Sequence, residues 1–417
     1  MATTVETGPT SAEAPIPTGL AHVATVSFLA SRVSPSGQFW LAIAGGVALA
    51  RASATAGWRT GYGVGLAAML QTTALIGPAR FNGPLTQALT APVLGRLHHR
   101  GTPLALQLLA CFGIRLAHYL VLVVFLVWII LGGLDAFTGT YDALTGWLGF
   151  LPQGERAALV TTGAVYVVTA VFYSGIQVAV YRRALRDWPA IPLPLADRAL
   201  PEPPRSRDAG PYDPRAATVA AVVASALLLT TPAWPLLAGV AAWLAAATLT
   251  CRPDPQPLRL GLALTVLLTV GAFAAAMLAD LGPDEAARRA TRAALLVLVA
   301  TWLRAAAGAD GMREVFARGL RHLRWLPSVR EAGAALDGLD PRGSVTAAGR
   351  ELVARLSGVP AQPLAVADAV VGWVASETAG FRRAAPVPDL RRRLRLRRRD
   401  ALLIVLATAP VLALGMT

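Results

Sequence analysis

The sequence predicts an all-α fold: a polytopic α-helical integral membrane protein with about nine transmembrane helices in two bundles. Three observations carry that expectation. Hydrophobic residues make up 55% of the 417, and mean hydropathy is +0.53, more apolar than a soluble surface absorbs. Apolar runs near span length recur along the chain, punctuated by Gly, Pro and Arg. The 38 basic residues, all arginine, gather mainly in two regions, as cytoplasmic segments of membrane proteins do.

Taken in order, residues 1–37 read as a polar N-terminal tail, and 38–181 as a first membrane bundle of about four spans. Gln38 to Ala50 and Gly61 to Pro78 form its opening hairpin, around a turn bracketed by Arg51 and Arg59. Phe81 to Arg100 carries Leu85, Leu89, Val93 and Leu97 at spacings of four, which predicts a helix lying in the interface. From Pro103 to Leu134 the chain is apolar for 32 residues, roughly 48 Å as a helix. That exceeds the hydrocarbon thickness. The expectation is therefore a re-entrant or interfacial helix to Ile114 and a span from Leu116 to Leu134. Ala158 to Tyr181 is the fourth span.

Residues 182–215 hold eight prolines and seven arginines, which excludes both a packed core and a span and predicts a cytoplasmic linker. A second bundle of about four spans follows at 216–303. Ala216 to Cys251 is bent into two short helices at Pro232 and Pro235; Leu260 to Leu278 and Ala293 to Leu303 complete it. Residues 304–400 hold eighteen arginines against ten acidic residues and read as a basic cytoplasmic region of amphipathic helices. Ala361 to Gly380 is either a packed helix or a re-entrant segment. A final span at 401–417 places the C-terminus outside and the N-terminus in the cytoplasm.

The formal charge of +14 suits the anionic inner leaflet of a bilayer, and the apolar runs set nucleic acid aside. An all-arginine basic set suggests a GC-rich coding genome, and with the spans a bacterial plasma membrane. Cys111 and Cys251 lack metal or redox spacing. No phosphate loop, HExxH, CxxC or GxSxG motif is present, and no cofactor or metal is expected. The assigned spans hold no Asp or Glu, which argues against an ion-coupled carrier.

Two groups of residues carry functional expectations. Arg96, His98, His99, Arg100, Arg115 and His118 are guanidiniums and imidazoles of the kind that bind and protonate a phosphate; the plain alternative is anchoring to lipid headgroups. Gln71, Gln107 and Gln177 either line a substrate path or hydrogen-bond between helices. The second group lies after Arg304. Met312, Val315, Phe316, Leu320 and Leu323 recur at helical spacing, as do Val345, Ala348, Leu352, Val353 and Leu356, which gives two amphipathic helices suited to docking a soluble partner or lying on lipid.

With Pro214 and Arg215 opening it and the run Met312 to Glu331, the second half resembles the transmembrane component of energy-coupling factor transporters. That resemblance implies coupling helices whose Ala-Arg-Gly triplets engage cytoplasmic ATPases. One such triplet is Ala317, Arg318 and Gly319; Arg321 and Arg324 join it as docking residues. A second triplet is absent, and Ala348, Gly349 and Arg350 hold the same residue types in another order. The expected function is thus a transport-related or scaffolding, permease-like component that docks a cytoplasmic partner. The alternative is a membrane-embedded enzyme acting on a phospholipid or polyprenyl phosphate through the cluster at 96–118.

Overall fold

The structure, a computed structural model, describes residues 16–34, 37–80, 84–186, 188, 210–230, 233–251, 255–339, 343–359, 362–383 and 396–414. Most of the 182–215 linker, the first fifteen residues and much of the arginine run at 391–399 lie outside the described residues. Fifteen α-helices and a few 3-10 or π turns, with no strand, make up the secondary structure among the described residues. Among the described residues, six stretches are long and apolar enough to cross a membrane: Gln38–Ala56, Leu104–Leu131, Glu155–Arg186, Gly261–Leu278, Pro283–His322 and Leu364–Phe381. Nine were expected.

The largest departure is at the start. Ile16–Val33, expected within a polar tail, is helix α1, and every residue from Thr18 to Phe28 is buried. Helices α2 (Gln38–Ala56) and α3 (Trp58–Ile76) pack beside it, and α2 buries each residue from Leu41 to Ala50. Helices enclosed on all faces belong to a protein core and offer lipid nothing. Small residues permit the approach: a Cβ on Gly46 would collide with the Tyr181 hydroxyl, and one on Gly95 with the Ala50 carbonyl oxygen.

Helix α4 (Leu85–His99) is also part of that core. Its leucine stripe, which predicted an interfacial helix, is only half-buried. The opposite face, with Thr86, Gln87, Thr90, Ala91, Leu94 and Gly95, packs inward against α2. Helix α5 (Leu104–Val124) then runs unbroken into a π-helical stretch, Phe125–Leu131, so no re-entrant segment ends at Ile114. Arg115 does not force a boundary because its side chain turns inward to α7 (Glu155–Arg186). Between these two lies α6 (Leu134–Thr145), which joins the second half through Thr140 Oγ1 donating to the Ala275 carbonyl at 2.9 Å.

Beyond the linker, α8 (Pro214–Thr230) and α9 (Trp234–Cys251) are the two short helices expected of 216–251. Helix α10 (Pro255–Leu278) packs along α11 (Pro283–His322). The latter is interrupted at Gly308 (φ 72°, ψ 163°), a conformation essentially restricted to glycine. The N–H groups of Gly210 and Tyr212 donate there to the carbonyls of Ala307 and Ala306, at 3.1 and 3.3 Å. Helices α12 (Pro327–Asp337), α13 (Gly343–Ser357), α14 (Pro363–Arg383) and α15 (Arg398–Leu414) complete the chain.

Two apolar cores result, but they do not divide at the linker. One gathers α1–α4 with the inner faces of α5 and α7, and is closed by Leu336, Leu352, Val370 and Trp373 from α12–α14. The other gathers α8, α9, the middle of α11 and α15 around Trp243 and Trp302. Region 304–400 is therefore woven into the first core, where His22 of α1 and Glu377 of α14 pair at 3.2 Å, both buried. Large exposed apolar side chains are confined mainly to the outer helices. Leu120, Val121 and Val124 lie on α5; Val160, Val168 and Phe172 on α7; Val266 and Leu267 on α10; Leu402 and Val405 on α15. From 16 to 103 only Ile16 and Trp58 are so exposed among the described residues.

Candidate anion-binding cavity

A cavity of about 270 Å3 opens where the C-terminal end of α1 and the N-terminal ends of α2 and α4 meet the middles of α5 and α7. Arg32, Gln38, Phe39, Thr86, Gln87, Arg115, His118, Tyr119, Leu122 and Tyr173 are among its walls. Behind Arg115 and Gln87 the wall is backed by a hydrogen-bonded network. Arg115 Nη2 donates to Gln177 Oε1, and Gln177 Nε2 donates to Thr90 Oγ1 at 2.6 Å. Thr90 Oγ1 in turn donates to the Thr86 carbonyl at 2.7 Å. Alongside, the Tyr181 hydroxyl crosses over Gly46 and donates to Gln87 Oε1 at 2.7 Å, which leaves the Gln87 amide nitrogen for the cavity. Glycine at 46 is thus the condition for the Tyr181–Gln87 bond.

Charge distinguishes this site from an ordinary interhelical network. Arg115 is 3% exposed and His118 7%, and no carboxylate lines the cavity among the described residues. A guanidinium is a permanent cation in proteins. Its neighbours are neutral: Gln177, the Tyr119 hydroxyl at 3.4 Å, and the Tyr173 ring with its centroid 5.9 Å away. Arg115 Nε is buried without a partner. Neutral partners answer the donors but not the charge, and an uncompensated buried cation costs several kcal/mol. A cavity with this wall accommodates an anion.

The expected cluster divides in two. Arg115 and His118 are in the cavity, near the midpoint of the apolar stretch Leu104–Leu131. Arg96, His98, His99 and Arg100 sit at the C-terminal end of α4, with His99 and Arg100 exposed. His98 is close to Arg182 and Arg186, which lie further along α7 than Tyr173 by nine residues or more, roughly 13 Å. Burial first, then the two guanidiniums and His99, hold the His98 imidazole below its ordinary pKa. Of the three glutamines, Gln177 joins helices across the core, Gln107 donates locally to the Thr102 carbonyl at 3.0 Å, and Gln71 is buried on α3.

Sequence reasoning missed Arg32, Gln38, Gln87, Tyr119 and Tyr173. Arg32 ends a helix whose Thr, Ser and His residues dilute its apolar signal, and the others come together only through packing.

At the expected docking site, Ala317 is a core residue and Arg318 Nε is held by Glu314 Oε1 at 2.7 Å on the same helix. Gly319, Arg321 and Arg324 are exposed, beside Leu323, Trp325 and Leu326. The apolar faces at 312–320 and 345–356 are largely taken up internally, by Met312, Leu320, Val345, Ala348 and Leu352. No protein family, curated protein or solved structure matches the chain.

Proposed function

We propose that the chain is a multi-pass membrane protein that captures an anion in the Arg115 cavity, as the binding step of a permease-like or scaffolding role. The observation that carries this is a guanidinium buried at the middle of an apolar helix, facing open volume with no carboxylate lining it among the described residues. Ionisable groups at such positions mark substrate sites more often than they serve stability. Catalysis is the weaker reading, since among the described residues His118 is the one imidazole on the cavity wall and no carboxylate stands there to orient it. The test is thermal stabilisation of the detergent-solubilised full chain by phosphate-bearing compounds. A ligand at about a hundred times its Kd stabilises by about 2.7 kcal/mol. Arg115→Gln abolishes that response, and an unaltered response in this variant excludes the cavity as the site.

Docking of a cytoplasmic partner is a second reading, favoured by Trp325, 73% exposed between Arg321, Arg324 and Arg330. Tryptophan and arginine are the residues most enriched at binding hot spots. Trp325→Ala with Arg324→Ala then reduces recovery of a co-purifying ATPase by about tenfold or more. Equal recovery removes this surface from the account.

A further inference from the structure

We propose that the anion taken by the Arg115 cavity is a lipid-borne phosphate that enters sideways from the bilayer between α5 and α7. The inference rests on the reading of the cavity as an anion site and adds the source of the anion. Its first support is the setting of the mouth. Phe39, Tyr119, Leu122 and Tyr173 are half-buried at the cavity wall. On the same two helices, Leu120 (63% exposed), Val121, Val168 and Phe172 turn outward. A path outward between these helices passes from guanidinium to phenol and phenyl rings to bare aliphatic surface. That is the polarity order of a phospholipid read from headgroup to chain.

Size is the second support. Pockets that enclose a whole drug-sized ligand run from about 300 to 1,000 Å3. At about 270 Å3 the cavity suits a headgroup and leaves no room for an acyl or isoprenoid chain, which would lie on the exposed faces of α5 and α7.

Chemistry selects phosphate. The Arg115 guanidinium, His118 and the Gln87 amide face the cavity from two helices, a divergent set that the three terminal oxygens of a tetrahedral phosphomonoester can answer together. A zwitterionic headgroup is disfavoured. Among the described residues no carboxylate lines the cavity to receive a quaternary ammonium, and the Tyr173 face that could do so is already turned to Arg115. Basic pockets between membrane helices are established binders of anionic lipid headgroups.

The experiment measures binding to the full chain in nanodiscs, with phosphatidic acid in phosphatidylcholine, phosphatidylcholine alone, and inorganic phosphate as competitor. The expected result is saturable binding of phosphatidic acid that excess inorganic phosphate does not displace. Arg115→Gln weakens that binding by about tenfold or more while Arg115→Lys retains part of it. If inorganic phosphate binds as tightly or displaces the lipid, the site takes a free anion and the lipid inference falls, while the anion reading stands. If neither probe binds wild-type protein, or Arg115→Gln binds as wild type does, both fall. The wild-type competition decides the source without relying on any variant's folding.

Discussion

At the scale of single residues, the polar groups in the interior divide into those answered by neighbours and those turned to open volume. Gln177 belongs to the first class and Arg115 to both, since its Nη2 is satisfied and its charge is not. Gln177→Leu leaves Thr90 without its donor and Arg115 without an acceptor, and a cost of about 1–3 kcal/mol is expected in chemical denaturation. His98 supplies a pH prediction. Its folded pKa lies below the unfolded value of 6.5, so the unfolded chain binds more protons between the two. Its contribution is intact above pH 6.5 and is lost as pH falls through the folded pKa. Wild-type protein therefore loses more stability between pH 7 and 5 than His98→Gln does, and equal losses measured by thermal melts contradict the assignment. Arg115 and His118 were legible in the sequence as cations in an apolar run. Their separation from Arg96, His98, His99 and Arg100 was not, because it depends on which way α5 and α4 face one another.

At the scale of elements, helix propensity and apolar periodicity located most helices but did not say what each one faces. The short helices α8 and α9 were foreseeable because a proline pair divides a charge-free run. The interfacial expectation for α4 failed for a physical reason: its inward face is made mostly of Thr, Gln, Ala and Gly, which pack closely against α2, while Leu85, Leu89 and Leu97 stay half-buried. Hydropathy weighs side-chain polarity and is blind to the closeness that small residues allow. Gly95→Ala tests this packing. The added methyl meets the Ala50 backbone carbonyl, which cannot rotate away, so α2 and α4 must separate. A loss of about 1–3 kcal/mol is expected. A variant as stable as wild type in denaturant titration shows that the helices are further apart.

At the scale of the whole molecule, the apolar excess that predicted spans is split between two uses. Part is spent on a protein core at α1–α4, closed by helices from the far end of the chain; part is displayed on α5, α7, α10 and α15. Composition cannot separate these uses, because a buried α2 and a lipid-facing α5 draw on the same residue types. A lipid-soluble quencher separates them: labels at Val168, Val266 and Val405 are quenched, and labels at Val47 and Ala67 are protected. Comparable quenching at Val47 restores the lipid-facing hairpin expected from sequence. The cavity sits where the enclosed helices meet the displayed pair, which gives it charged walls and an apolar approach together. The most direct measurement of its role is a density map of the full chain in nanodiscs containing phosphatidic acid. The expected density is a phosphate within hydrogen-bond distance of the Arg115 guanidinium, its chain lying between α5 and α7. A cavity holding water alone, with Arg115 paired to a carboxylate of the protein, contradicts it.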